Sequence, residues 1–318
     1  MSGTDLLARA DRLRAQRTPF VLATVVRAER PTSAKAGDRA IVMTDGAIEG
    51  FVGGACAEST VRMEGLRLLE GGESILLRIT PTDEPRSVST DATAEGLVVV
   101  GNPCLSGGTL DIFLEAVLPT ALVHIFGAAP IARALAVVGE AAGYAVTTTT
   151  DPAAPIATDT AAVVVASHGR DEEEVLAAAL RAGVPYVGLV ASPRRGAAVV
   201  SELDVADELR SRVRTPAGLD IGARTALEVA VSIVAELVSV HAGLRPAAPS
   251  EAPPLVVAAP TAIDPVCGMS VAAVPASLQL EHDGRTWYFC GPGCRQAFAD
   301  DPGHYSELAG HTTEHGGA

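Results

Sequence analysis

Aromatic side chains make up only 3% of this 318-residue chain, and lysine occurs once, at Lys35. With so few rings, packing falls to Ala, Val and Leu within a 48% hydrophobic content, the composition of Val-rich buried strands and Ala-rich helices. Positive charge is also scarce: 24 Lys and Arg against 38 Asp and Glu leave a net charge of -14 and a pI near 4.9. That balance excludes the broad basic surface that nucleic acid or an anionic membrane requires, so any anionic ligand must be met locally. Long hydrophobic runs are missing too. The most apolar stretch, 122–138, carries His124 and Arg133 and is broken by Gly127 and Pro130, so no membrane span is expected. Met1 to Asp5 lack the basic and apolar regions of a secretory leader, which sets the expectation of a cytoplasmic, reducing location. An odd total of five cysteines there points away from structural disulfides and towards metal, catalysis or inert burial.

What is present divides the chain. Its length suits two or three domains. Leu6, Leu7, Ala10, Leu13 and Arg14 recur at helical spacing within 1–17, and strands are expected at 20–26, 39–43, 47–52, 74–79, 96–100 and 109–118, with a helix over 58–69. From Val123 the pattern becomes apolar strands alternating with Ala-rich helices: strands at 123–126, 144–149, 162–166 and 186–190, helices over 130–142, 172–181, 195–202 and 223–241. Such repetition predicts right-handed crossovers and a parallel sheet. Prolines at 246, 249, 253, 254 and 260 mark an extended linker. Beyond it Trp287, Tyr288, Phe289, Phe298 and Tyr305 crowd into a small separate module, and the tail from 311 is expected to be disordered. The fold expected is therefore α/β: an amino-terminal α/β domain over 1–118, a Rossmann-like parallel-sheet domain over 119–243, a linker over 244–260 and a cysteine-containing module over 261–310.

The cysteines fall into two groups. Cys56 follows Gly53-Gly54 and precedes a helix, a setting in which the helix macrodipole lowers a thiol pKa and backbone N–H groups face an anion; a packed, inert cysteine is equally compatible with the spacing. Cys104 sits in a second glycine-bearing loop, 102–108. The loop 31–39 supplies Lys35, Gly37 and Arg39, a set suited to an anion or to an ordinary solvated turn. Gly127, Ala128, Ala129 and Pro130 link a strand to a helix, with Asp151 at the end of the next strand where a ribose-binding carboxylate would stand, but Ala129 occupies the place of the glycine that admits a pyrophosphate. His168, Ser192, Arg194 and Arg195 also follow strands, where α/β sheets place ligands. Late in the chain Cys267, Cys290 and Cys294 form a trio suited to a soft metal: cuprous copper accepts two or three such ligands, whereas zinc would need a fourth, from His282 or His304.

Taken in order, Pro31-Thr32-Ser33-Ala34-Lys35 with Gly37-Asp38, Gly53-Gly54-Ala55-Cys56-Ala57-Glu58, Gly127-Ala128-Ala129-Pro130, 186–192 and 216–223 resemble the XdhC/CoxI family of molybdenum-cofactor maturation proteins. That resemblance implies a chaperone, a maturation factor rather than an enzyme. It would bind and protect the sulfurated molybdenum cofactor, as molybdopterin or its cytosine dinucleotide, and deliver it to a xanthine dehydrogenase or carbon monoxide dehydrogenase type hydroxylase. Further implied are a cysteine desulfurase as a partner and a homodimer. Carried onto this chain, it puts Cys56 against the cofactor or its sulfur, Lys35 and Arg39 on the pterin phosphate, and Gly53, Gly54 and Glu58 around them; Cys104 and the Gly127 loop follow less closely. Asp264-Pro265-Val266-Cys267-Gly268-Met269, then Tyr288-Phe289-Cys290 and Cys294, resemble a YHS domain, which implies heavy-metal handling, by copper or zinc. A module this short buries little surface, and a bound metal can add about 10 kcal/mol that its core lacks. Two rivals remain at this point: an NAD(P)-dependent oxidoreductase using the Gly127 loop and Asp151, and a metal-responsive binding protein. A shared pathway for molybdenum and copper is a sharper expectation, which needs the two sulfur groups to meet.

Overall fold

The computed structural model describes residues 3–71, 73–81, 96–102, 108–244 and 260–311. The expected linker, apart from its two ends, the expected tail beyond His311, and Cys104 all lie outside the described residues. The chain divides into two compact units, one formed by Met1–Pro119 with Pro253–Ala318 and the other by Thr120–Ala252.

In the first unit a six-stranded sheet runs in the order β3-β2-β1-β6-β4-β5, from β1 (Phe20–Ala28), β2 (Arg39–Met43), β3 (Ile48–Gly50), β4 (Ile75–Pro81), β5 (Leu97–Asn102) and β6 (Leu110–Val117). The period-two rule of a pleated strand sorts its residues. Phe20 and Leu22 join Ile41 on the face covered by α1 (Gly3–Ala15) through Leu6, Ala10 and Leu13. Val21, Ala23 and Val25, with Ala40 and Val42, enter the opposite core, to which α2 (Ala55–Gly71) contributes Ala57, Val61 and Leu68. Both faces are therefore buried, which is why β1 reads as an almost unbroken apolar run. Leu7 shares the helical spacing of α1 but stays 40% exposed, outside that stripe.

The carboxyl-terminal part of this unit holds two hairpin ladders, β12 (Thr261–Ile263) with β13 (Ser270–Ala272) and β14 (Leu278–His282) with β15 (Arg285–Phe289), then α8 (Pro292–Asp300) and α9 (Pro302–His311). Its core is aromatic. Phe298 is fully buried, with the rings of Trp287 and Phe289 at 5.1 and 5.4 Å and Tyr305 at 6.4 Å. The cluster of rings in an aromatic-poor chain is thus one small core, on the order of the minimum a module this size can assemble.

The second unit is an all-parallel five-stranded sheet, order β11-β10-β9-β7-β8, built from β7 (Leu122–Phe126), β8 (Ala145–Thr149), β9 (Thr160–Val165), β10 (Tyr186–Leu189) and β11 (Val213–Arg214). α3 (Pro130–Ala141) and α7 (Ala226–Leu244) pack on one face and α4 (Glu172–Arg181), α5 (Pro193–Glu202) and α6 (Asp207–Arg210) on the other side of the sheet. Strand order reverses at β7, so the loops after β7 and β9 flank a topological switch point. No helix among the described residues is long and apolar enough to cross a membrane.

Candidate functional site

Helix α2 begins at Ala55, three residues before the start expected from periodicity, which places Cys56 in its first turn. Glu58 donates its N–H to Gly54 (3.0 Å), so Gly54 stands at the cap position and offers no side chain. The first N–H groups of a helix have no carbonyl inside it to bond, and with the macrodipole they make this end attractive to an anion. The Cys56 thiol lines a cavity of about 190 Å³ together with Thr32, Ser33, Gly54, Asn102 and Gly108, floored by Ile79 and Leu110. Gly108 is required there: a Cβ would strike the carbonyls of Glu29 and Pro31, so only glycine lets the two loops close on the cavity. Asn102 and Gly108, which bracket residues 103–107, both line it.

The other expected cofactor residues are placed differently. Lys35, Gly37 and Arg39 are not part of the cavity lining, which takes Thr32 and Ser33 from the same loop instead. Lys35 donates its backbone N–H to Asp38 Oδ2 (2.7 Å), folding that end of the loop into a turn of its own, and Gly37 takes φ +95° there. Gly53, at φ +141°, packs against Ala57 and Leu110. Glu58 is half-buried; burial pushes its carboxyl up, opposed by the charge of Arg62.

The late cysteines converge. Cys290 Sγ lies 3.5 Å from Cys267 Sγ and 3.7 Å from Cys294 Sγ. Cys290 ends β15, Cys294 lies in the first turn of α8, and Cys267 sits on the turn between β12 and β13. Asp264, fully buried, ties these pieces together: Oδ1 accepts the Val266 N–H (2.9 Å) and Oδ2 the Cys290 N–H (2.8 Å). Burial pushes this carboxyl up. Hydrogen bonds from Cys290 and Cys294 pull the Cys267 thiol down, and the same bonds push those two donors up.

The four ligating atoms of Asp264, Cys267, Cys290 and Cys294 lie within 4.8 Å of one another. Their softness and spacing fit a thiophilic ion. The expectation that His282 or His304 completes the set is not met: His282 stands edge-on to Phe298 and beside Asp283, and His304 edge-on to Tyr305. Cys56 does approach the trio. It packs on the cluster of Met269, Val271 and Cys290, and its thiol hydrogen-bonds with Cys290. No local sequence pattern encodes that contact, because the segments are far apart in the chain.

In the second unit, Gly127 (φ +125°) closes the switch point, since a Cβ would collide with the Ala166 carbonyl. Ala129 caps α3 without a side-chain bond and Pro130 opens it. Gly127 and Ala128 line an open cleft of about 540 Å³ with Arg133 and Thr149. Asp151 is outside that lining, with Oδ1 accepting the Ala153 N–H (3.0 Å) in a local turn. A larger depression of about 820 Å³ collects His168, Ser192 and Arg195 at the strand ends. Arg195 is committed there, donating to Glu172 Oε2 (2.5 Å) and to the Val190 carbonyl (3.1 Å), while Ser192 caps α5; His168 and Asp220 also line the depression.

Three family profiles match the chain in order. The profile of the XdhC and CoxI family matches residues 13–80, that of the XdhC Rossmann domain residues 123–237, and that of the YHS domain residues 262–309. The chain is 26% identical over 264 residues to the molybdenum cofactor insertion chaperone PaoD of Escherichia coli (strain K12), covering 70% of this chain and 83% of PaoD. It is 25% identical over 264 residues to YqeB, an uncharacterized protein of the same organism, covering 74% of this chain but 46% of YqeB. A solved Bacillus halodurans chain described as a xanthine dehydrogenase is 18% identical over 79% of this chain and 98% of that one, at a TM-score of 0.37, a likeness too distant to bear on the fold. With both of its domains matched in order, the chain belongs to the XdhC and CoxI family and carries a YHS domain at its carboxyl end.

Proposed function

We propose that this protein is a molybdenum-cofactor insertion chaperone, as PaoD is by name, serving a client of the molybdenum hydroxylase class such as a xanthine dehydrogenase or carbon monoxide dehydrogenase type enzyme. The observation that carries the reading is the cavity at the amino end of α2, where a cysteine, two hydroxyl residues and an asparagine meet the start of a helix. This donor set fits the group: the helix end, Thr32 and Ser33 suit the phosphate of a pterin cofactor, and Cys56 suits its molybdenum–sulfur end. When bound, the cofactor supplies the redox centre that the client uses. The chain's own part is to bind, orient and shield: Gly54 and Gly108 let main chain close around the ligand, Ile79 and Leu110 keep water from one side, and Cys56 presents a thiolate favoured by the helix dipole. Cys104, Lys35 and Arg39 belong to the same reading as cofactor-binding residues, Lys35 and Arg39 offering outer positive charge. The sulfurated form of the cofactor, a cysteine desulfurase partner, a homodimer and a cytoplasmic location belong to the same reading.

The YHS domain is read as a soft-metal module on Cys267, Cys290 and Cys294, with copper or zinc as the ion. Anaerobic purification followed by mass spectrometry and elemental analysis tests both halves. Pterin that co-purifies with the wild type and is lost in Cys56→Ser supports the chaperone. Tight NAD(P) binding with turnover, and no pterin, would replace it with the oxidoreductase.

A further inference from the structure

Cys56 faces two ways. It lines the cavity and also packs on the YHS cysteines, in hydrogen-bonding range of Cys290. The turn from β15 into α8 lies directly against the start of α2: a Cβ built on Gly291 would stand 3.6 Å from both Ala55 Cβ and Cys56 Sγ. Two helix amino ends, those of α2 and α8, therefore meet around the sulfurs.

A tetrahedral zinc ion with Zn–S bonds of about 2.3 Å separates its sulfurs by about 3.8 Å. Sulfur separations of 3.5 and 3.7 Å in the trio are close to the edges of such a tetrahedron. Three corners are thus in place, and two groups compete for the fourth. Asp264 is near, but each of its oxygens already accepts a main-chain N–H, and those bonds hold the Cys267 and Cys290 segments in position. Cys56 stands outside the compact four-atom set, yet a single side-chain torsion swings its sulfur, and zinc in closed sites favours thiolate.

We propose that a zinc-class ion on Cys267, Cys290 and Cys294 recruits Cys56 as its fourth thiolate, clamping the YHS domain onto the start of α2 and withdrawing Cys56 from the cofactor cavity. Metal occupancy then gates cofactor retention. The inference rests on the reading of the trio as a metal site and of Cys56 as a cavity thiol.

The test uses the full chain, reduced and anaerobic, with Co²⁺ as spectroscopic probe and Zn²⁺ titrated against a chromophoric chelator. The wild type should bind one ion with tetrahedral, four-thiolate charge-transfer absorption. Cys56→Ser should lose about a quarter of that intensity and about tenfold or more in zinc affinity, and Cys56→His, which restores a zinc donor, should regain the affinity. Zinc should also slow alkylation of Cys56 by iodoacetamide at least about tenfold. Circular dichroism confirms that each variant is folded. If Cys56→Ser keeps the full spectrum and affinity while Cys294→Ser loses both, the trio is a metal site without Cys56 and the inference falls alone. If the folded wild type binds neither ion, the metal reading falls with it, while pterin retention still judges the chaperone.

Discussion

The amino end of α2 and the carboxyl ends of the parallel strands are both places where an α/β chain can hold an anion, but their polar groups are deployed in opposite ways. At the strand ends of the second unit the charged side chains are consumed by the fold. Glu172, fully buried, accepts from Gly169 N–H, Ser167 and Arg195, and Glu236 accepts from Tyr186 Oη, Gly218 N–H and Arg214. At α2 the cavity is lined by hydroxyl residues, an asparagine and a cysteine around the start of a helix capped by Gly54, and no charged side chain among the described residues lines it. The difference separates a scaffold from a site: where a buried carboxylate has two or three donors already, it fixes a loop, and a ligand would have to displace them at the cost of leaving buried groups unpaired. The depression in the second unit is larger, but its arginine is already spent on Glu172, and volume alone does not select a ligand.

The sharpest way to break this contrast is to remove one of the scaffold carboxylates. Glu236 holds the Tyr186 hydroxyl at 2.7 Å and the Gly218 N–H at 2.7 Å, joining β10, α7 and the loop between them, and its negative charge together with burial pushes the Tyr186 phenol up. Glu236→Ala strands both donors inside the second unit and should cost about 3 kcal/mol, read as a lowered midpoint in chemical denaturation followed by circular dichroism. Glu236→Gln keeps one carbonyl acceptor and should cost about 1 kcal/mol. Wild-type stability in Glu236→Ala would show that the network is dispensable and would reopen the strand ends as a ligand site.

Asp264 is the corresponding anchor in the first unit, and it serves the sulfur cluster. Asp264→Asn leaves one oxygen and turns an amide N–H₂ towards a main-chain N–H, so the Cys267 and Cys290 segments lose one of their two ties. The expected cost is about 2 kcal/mol in the YHS domain. Trp287 is the only tryptophan in the chain and lies in that domain's core, so its fluorescence follows the event. An unchanged fluorescence midpoint would mean that the cysteines, rather than the carboxylate, set the loop geometry.

Much of this architecture can be read from residue pattern, because buried strands and amphipathic helices are local. The apolar run of β1, the helix over Glu172–Arg181 and the strand Arg39–Met43 follow from apolar spacing, whereas Cys56 near a helix start follows from the glycine pair before it. Short elements such as α6 and β11 carry too few residues to form a pattern. The site is less legible. Lys35 and Arg39 look like the anion-binding residues on charge alone, yet the turn closed by Asp38 separates that end of the loop from Thr32 and Ser33, which line the cavity. The histidines are attractive zinc donors by type, but His282 lies edge-on to Phe298 and exposed His304 edge-on to Tyr305, and neither joins the sulfur cluster. Asp264 stands in the quoted motif without any feature that marks it as an anchor; only its main-chain bonds to Val266 and Cys290 do so.

Acid titration gives the mildest probe, through two groups, His124 and Asp111, whose pKa values the fold displaces. His124 is buried on β7 beside Thr147 Oγ1 (3.0 Å), and burial pushes its pKa down. Between that lowered value and the ordinary one near 6.5, the unfolded chain binds a proton that the folded chain refuses, so stability rises with pH across this window and falls on acidification. One proton limits the slope to about 1.4 kcal/mol per pH unit. Asp111 acts with the same sign at lower pH: its hydrogen bond from Arg78 (2.7 Å) holds the carboxyl below the usual range, and the stability this gives is present above the unfolded value and lost as pH falls through the folded one. Denaturation midpoints of the wild type and His124→Gln between about pH 2 and pH 7 separate the two groups. The variant should lose the upper part of the slope and keep the acid limb; if it keeps both, His124 is protonated in the fold and its burial is not what sets its charge.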